Sequence, residues 1–407
     1  MGLSSVDKSP AILYKRTLSG GLVEQNDQSP LKSIILKRIR QQGRITFAEF
    51  MAACLYEPGL GYYTSPGRKV GAEGDFYTSM NVHQMFGRLV AREICRMWET
   101  LGSPPQFTIV EAGAGGGQLA QDILDTIAEI NRSLYDVLTY RLVEQEPTLK
   151  EAQREKLACH LPHLAWCTPE ALARGEAPFT GCLLSNELLD ALPVHLVEMT
   201  PAGLMEVYVT ALADEFGEML DEPSTPELAA SLQRLGVSLF AGQRAEISLA
   251  AVSWLEGVAK GLERGFVLTI DYGYPADELY APMRKNGTLL CYYRHNIEEN
   301  PFIRVGEQDI TSHVNFTALM ERGKELGLQT VWFGEQYRFL LGAGLLEEML
   351  ALEASGAAET ELLKSRLALK KLMLPDGGMG DTFKVLIQAK GVENPRLLCM
   401  RDWGNGF

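Results

Sequence analysis

The stretch VEAGAGGGQLAQDIL, residues 110–124, constrains this chain more than any other. An apolar run ends on a carboxylate, five residues containing four glycines follow, and apolar residues then return at helical spacing. That pattern reads as a buried strand, a tight turn and a helix. A buried strand needs a sheet around it, and the text downstream supplies one. FTIVEA, TYRLVE, HLAWCT, GCLLSNE and GFVLTIDYG read as strands, and helical text at 118–130, 148–159 and 247–263 separates several of them. Strands alternating with helices predict a parallel sheet covered on both faces.

Three ligands compete for the glycine turn. A nucleotide P-loop needs Gly-Lys-Ser/Thr after its glycines, and none is present, so a nucleoside triphosphate is excluded. A dinucleotide fingerprint beginning at Gly113 fails at Gln118, although the shifted register Gly115, Gly117 and Ala120 fits its looser form. The pattern acid-x-Gly-x-Gly-x-Gly, here Glu111, Gly113, Gly115 and Gly117, suits S-adenosylmethionine. That ligand has no phosphates, so the glycines would let backbone pass close to its methionine and ribose parts, where a side chain would block. Glu111 would order the turn's amides or meet the ligand's ammonium group. The second strand ends at Glu144, 27 residues beyond Gly117 (144 − 117), where a carboxylate can accept both ribose hydroxyls. NAD would use that acid equally well.

Around the sheet, SPLKSIILKRIRQQG predicts a helix with Ser29 as cap, Pro30 in the first turn, Leu31, Ile34, Ile35 and Ile39 on one face, and Gly43 as the stop. Thr46 and Glu49 spell a capping box for a second helix bearing Phe47, Phe50, Met51, Cys54 and Leu55. A long glycine- and proline-rich loop follows, then a third helix from about Gln84 to Thr100. Residues from roughly 195 to 245 interrupt the alternation with a hairpin and a polar, proline-containing stretch, which reads as an insertion. The tail offers a helix at 316–327, a strand near QTVWFGEQY, a charged helical stretch at 345–371 and a last strand, DTFKVLIQAK. The expected organisation is a flexible segment over 1–28, an N-terminal helical cap over 29–105 and a main domain over 106–400.

Composition narrows the partners. With 46% hydrophobic and 22% charged residues the 407-residue chain can bury a large core, and a net charge of −14 opposes binding to nucleic-acid phosphates or anionic lipid. No stretch approaches the roughly 18 apolar residues of a membrane span. The seven cysteines include no CxxC pair and the six histidines show no ligand spacing with them, so no metal site is expected.

VEAGAGGGQLAQDIL, LLSNELLDALPVH, LTIDYGYP, NGTLLCYYRHN and GEQDITSHVNFTAL occur in an order that resembles the MidA-like family, and YEPGLGYY and GAEGDFYTS look like its N-terminal signature. The similarity runs from about residue 30 to 390. It implies the class I methyltransferase fold, a Rossmann-like α/β architecture on a seven-stranded sheet, with S-adenosylmethionine as donor. It further implies a protein substrate, namely an arginine of a respiratory complex I subunit for the mitochondrial member. The compartment would be cytoplasmic for a bacterial-type chain and the mitochondrial matrix for a eukaryotic one. GAEGDFYTS becomes a cofactor-side loop, with Gly74, Asp75 and Thr78 as its binding residues. Two departures bear on substrate detail: Met80 and Asn81 stand where the family reads Pro-Glu, and Asn315 stands where it reads Asp.

SNELLDALPVH follows the fourth strand, at the edge where open α/β sheets place their chemistry. Methyl transfer must aim an acceptor lone pair at the sulfonium methyl. For a guanidinium, two carboxylates can hold the other nitrogens. Glu187 and Asp190, three residues apart, would share a face across one helical turn, with Asn186 beside them. Asp271, ending the fifth strand, is either substrate-side or a loop anchor. His313 is a candidate general base. Rival readings are a small-molecule methyltransferase with a closed acceptor cavity, a non-catalytic assembly factor that binds the donor, and a dinucleotide oxidoreductase.

Overall fold

The apolar segments pair as their alternation predicts. The strands are β1 Phe107–Ala112, β2 Leu138–Val143, β3 Leu164–Cys167, β4 Phe179–Asn186, β5 Leu262–Tyr274, β6 Gln329–Glu335 and β7 Phe383–Lys390. They lie in the order β3-β2-β1-β4-β5-β7-β6. Neighbours from β3 to β5 are parallel, and β7 runs antiparallel to both β5 and β6. A two-residue strand, Val314–Asn315, adds to the end of β5 beside Gly273 and Tyr274, making the sheet eight-stranded. The computed structural model describes residues 12–14, 29–65, 84–294, 296–356, 359–360, 362–363, 365–367 and 382–401.

The chain divides into two units. The sheet belongs to the one formed by 69–191, 250–276 and 313–407. Its central strands read as apolar runs because both faces are covered, and in β4 and β7 all but one residue of each is buried. The helices are α1 Gln84–Thr100, α2 Gln118–Ile130, α3 Pro147–Lys156, α4 Leu249–Gly261 and α5 Phe316–Glu325. Phe86, Leu89, Ile94 and Met97 of α1 join Leu119, Ile123 and Ile127 of α2 in the core over the sheet. Glu93, buried on α1, accepts the backbone N–H groups of Leu398 and Cys399, both at 3.1 Å, and pins the C-terminal segment. Burial pushes its carboxyl up to about 7.

The other unit gathers 1–68, 192–249 and 277–312. The capping box forms as read: Thr46 Oγ1 accepts the Glu49 amide and Glu49 accepts the Thr46 amide, starting the helix Phe47–Tyr56. In the helix Pro30–Gln42, Leu31, Ile35 and Ile39 are buried, whereas Ile34 is exposed and Leu36 takes its place inside. Ser29 makes no capping bond and instead donates to the carbonyl of Val305. The insertion does open with a hairpin, His195–Thr200 and Gly203–Leu212. The polar stretch after it adds a third strand, Glu215–Asp221, and a helix, Glu227–Arg234, whose only buried residues are Leu228 and Leu232. Leu228 and Leu232 stand four residues apart, so the helix carries its apolar stripe in the text although the buried face is small. All seven cysteines are unpaired and five are buried.

Candidate functional site

Because β1, β2, β4 and β5 are parallel, their carboxyl ends share one edge of the sheet. The strand order reverses direction between β1 and β4, and open α/β sheets bind ligands outside the carboxyl ends at such a switch point. The glycine turn leaves β1 on one side of it and the segment 187–190 leaves β4 on the other.

At the first turn, Gly113, Gly115 and Gly117 all have left-handed backbones, with φ of +81°, +51° and +82°. A Cβ on Gly113 would lie 3.2 Å from Leu188 Cδ1, so strain and crowding both favour glycine there. Glu111 lies beneath the turn, 2% exposed, and accepts the Tyr140 hydroxyl at 2.8 Å from one pleat back on β2. Burial pushes its carboxyl up to about 7, and the Tyr140 bond opposes that rise. Glu144 follows β2. Its Oε1 accepts the amides of Gln145 and Glu146, each at 2.8 Å, which fixes the carboxylate at the strand end.

The second turn is not helical. Glu187 takes a left-handed backbone, φ +50°, uncommon for a side-chain-bearing residue, and its amide donates to the Ile270 carbonyl at 2.9 Å. The expectation that one helical turn aligns Glu187 with Asp190 is therefore corrected. The left-handed backbone at Glu187 takes that residue out of any right-handed helix, and Pro193 closes the run a few residues later. Asp271 Oδ2 accepts from Leu188, Leu189 and Asp190 at 3.2, 2.9 and 3.4 Å, and Oδ1 accepts from Tyr272 at 2.9 Å. Of its two sequence readings, the loop anchor is the one its geometry serves. Burial and then the Asp190 charge raise its carboxyl well above the ordinary carboxylate range. Asp190 accepts a hydrogen bond from the Tyr272 hydroxyl, and burial lifts it to about 6. The Asn186 amide donates to Glu187 Oε1 at 3.2 Å.

His313 is half-buried, its ring edge-on to Tyr272 and Tyr274 with centroids 5.3 and 5.2 Å away. The helix begins three residues later, and its cap is Asn315, whose Oδ1 accepts the Ala318 amide at 3.0 Å. An aspartate would cap equally well, so this departure preserves the local structure. Gly74, Asp75 and Thr78, with Met80 and Asn81, lie outside the described residues. Tyr140, Leu188 and Gln153 carry no functional signal in the sequence. The first two stand in apolar runs that look like core, and Gln153 stands in a helix that looks wholly solvated.

A family model described as "Putative S-adenosyl-L-methionine-dependent methyltransferase" matches residues 89–334. The chain belongs to this family. It is also similar to a Burkholderia thailandensis protein whose crystal structure holds S-adenosyl-homocysteine, at 32% identity and a TM-score of 0.80, covering 91% of this chain and 94% of that one. Curated relatives include the mitochondrial protein arginine methyltransferase NDUFAF7 of Mus musculus, 28% identical over 84% of this chain and 80% of its own length. The Drosophila melanogaster homolog is 28% identical over 87% and 84%.

The chain is thus an S-adenosylmethionine-dependent methyltransferase on the class I fold. The turn after β1 fits the donor, because its three left-handed glycines leave a strip free of Cβ atoms and a Cβ at Gly116 would meet nothing within 4 Å. Among the described residues, no helix is long and apolar enough to cross a membrane.

Proposed function

We propose that this methyltransferase modifies an arginine of a protein substrate, a respiratory complex I-type subunit being the one the family resemblance implies. The observation that carries the reading is the contact between the two turns. Leu188, flanked by Glu187 and close to Asp190, packs against Gly113, so an acid-rich segment lies directly beside the donor turn. The names of the mouse and fly relatives, both protein arginine methyltransferases, support the same acceptor.

Bound at Gly113, Gly115 and Gly117, with Glu144 on its ribose, S-adenosylmethionine would supply an electrophilic methyl group. Glu187 then pairs with the guanidinium and holds its plane, its direction set by the left-handed backbone and the Asn186 amide. The attacking nitrogen must lose a proton overall. Asp190, raised to about 6 and joined to the Tyr272 hydroxyl, and His313 beside that ring form the route we assign to it. Gly74, Asp75 and Thr78 would complete the donor side.

Incubation of the full chain with methyl-labelled donor and an arginine-containing protein extract, followed by mass spectrometry of the labelled residue, tests the reading. Labelled methylarginine is expected. Glu187→Gln should lower the rate about a hundredfold while S-adenosylhomocysteine binds as before. Label appearing only on small molecules, or an undiminished rate in Glu187→Gln, would contradict it.

A further inference from the structure

Helix α3 has one buried residue, and it is a glutamine. Gln153 is 0% exposed within the sequence PTLKEAQREK, otherwise charged or polar on nearly every side. Its amide makes two bonds. Nε2 donates to the carbonyl of Gly115 at 2.8 Å, and Oε1 accepts the indole N–H of Trp166, on β3, at 2.9 Å. An indole can only donate, so Trp166 fixes which end of the amide faces the turn. The Arg154 guanidinium lies over the Trp166 ring, 5.0 Å from its centroid. A Cβ on Gly117 would stand 3.5 Å from Gln153 Cγ, so the turn packs against this side chain as well as bonding to it.

We propose that Gln153 is a positioning residue for the methyl donor. Residues 115–117 are three glycines in a row, and glycine permits many backbone conformations without choosing one. The Gly115–Gly116 peptide can rotate at little steric cost, so a hydrogen bond must select its orientation. Drawing the Gly115 carbonyl toward α3 turns the Gly116 N–H the opposite way, because the two point apart across a planar trans peptide. That N–H then faces away from Gln153. Glu144 lies on the connection that leads from β2 into α3, so the acid proposed for the ribose and the clamp on the turn come from one continuous segment. This inference rests on the donor occupying the glycine turn and is independent of the acceptor.

Calorimetric titration of the full chain with S-adenosylhomocysteine, alongside the melting temperature of the ligand-free protein, tests it. Gln153→Met keeps the length and removes both hydrogen bonds, and it should weaken binding about tenfold, equivalent to about 1.4 kcal/mol. Gln153→Glu keeps the acceptor for Trp166 but sets an oxygen against the Gly115 carbonyl. Its binding, relative to wild type, should be weak at pH 8 and stronger at pH 6, as proton uptake by the buried acid restores a donor to the Gly115 carbonyl. A purely structural role would lower both melting temperatures and leave the affinities within twofold at either pH, and that result overturns the proposal. Gly113→Val serves as the reference. If it too binds at wild-type affinity, the donor is not at this turn and the inference falls with that placement; if it alone loses binding, the placement stands and the role of Gln153 is refuted.

Discussion

The turns after β1 and after β4 face the same switch point and are held in opposite ways. The first gets its shape from composition: glycines at 113, 115 and 117 adopt left-handed backbones that few other residues would accept. The second carries leucines and acids and gets its shape from elsewhere. Asp271, more than 80 residues away, collects the amides of Leu188, Leu189 and Asp190, and Glu187 bears the left-handed conformation that results. A turn written by its own residues can be recognised in a sequence. One written by a distant side chain cannot.

The largest effect should come from removing that distant side chain. Asp271→Ala leaves several buried amides without an acceptor and should cost about 4 kcal/mol. Denaturant unfolding of the full chain measures it, and an unchanged midpoint would mean that Asp271 does not hold the second turn.

Glu111 probes the first turn from beneath. Its folded value, about 7, lies above the ordinary 4.5, so its contribution to stability is complete below about pH 4.5 and is lost as the pH rises through 7. Glu111→Gln stays neutral and can still accept from Tyr140. Relative to wild type it should gain about 3 kcal/mol between pH 4.5 and pH 8. Unfolding curves at the two pH values decide the matter, and an equal offset at both contradicts a buried, largely protonated Glu111.

The smallest effect concerns a cap that needs only its own neighbours. Asn315→Ala should cost about 1 kcal/mol by freeing the Ala318 amide, and Asn315→Asp should change stability by only a few tenths. Thermal unfolding would contradict the capping role if the alanine and aspartate variants melted together.

The same division governs what could be read from the sequence at large. The central strands β1, β4 and β5 announce themselves because burial on both faces favours long, largely apolar runs. The capping box at Thr46 and Glu49 and the glycine turn are local devices and were equally legible. Gln153 was not, because an amide in a charged helix looks solvated until β3 brings Trp166 against it. The bend at Glu187 is hidden for a similar reason: the spacing of its acids is helical, while its left-handed backbone is tied by its amide to the Ile270 carbonyl of β5. The strand Glu215–Asp221 and the helix after it lie in acid- and proline-rich text that masks them, although Phe216, Leu220, Leu228 and Leu232 do mark their buried faces.

Donor binding at the glycine turn is the proposal from which the other roles at the site follow. The most direct measurement is calorimetric titration of wild-type protein and Gly113→Val with S-adenosylmethionine and with NAD. A Cβ at Gly113 meets both a left-handed backbone and Leu188 at 3.2 Å. The account predicts saturable binding of S-adenosylmethionine by wild type, no binding of NAD, and at least a hundredfold loss in Gly113→Val, about 2.7 kcal/mol, with the ligand-free variant still folded. Wild-type affinity for S-adenosylmethionine in Gly113→Val would contradict it.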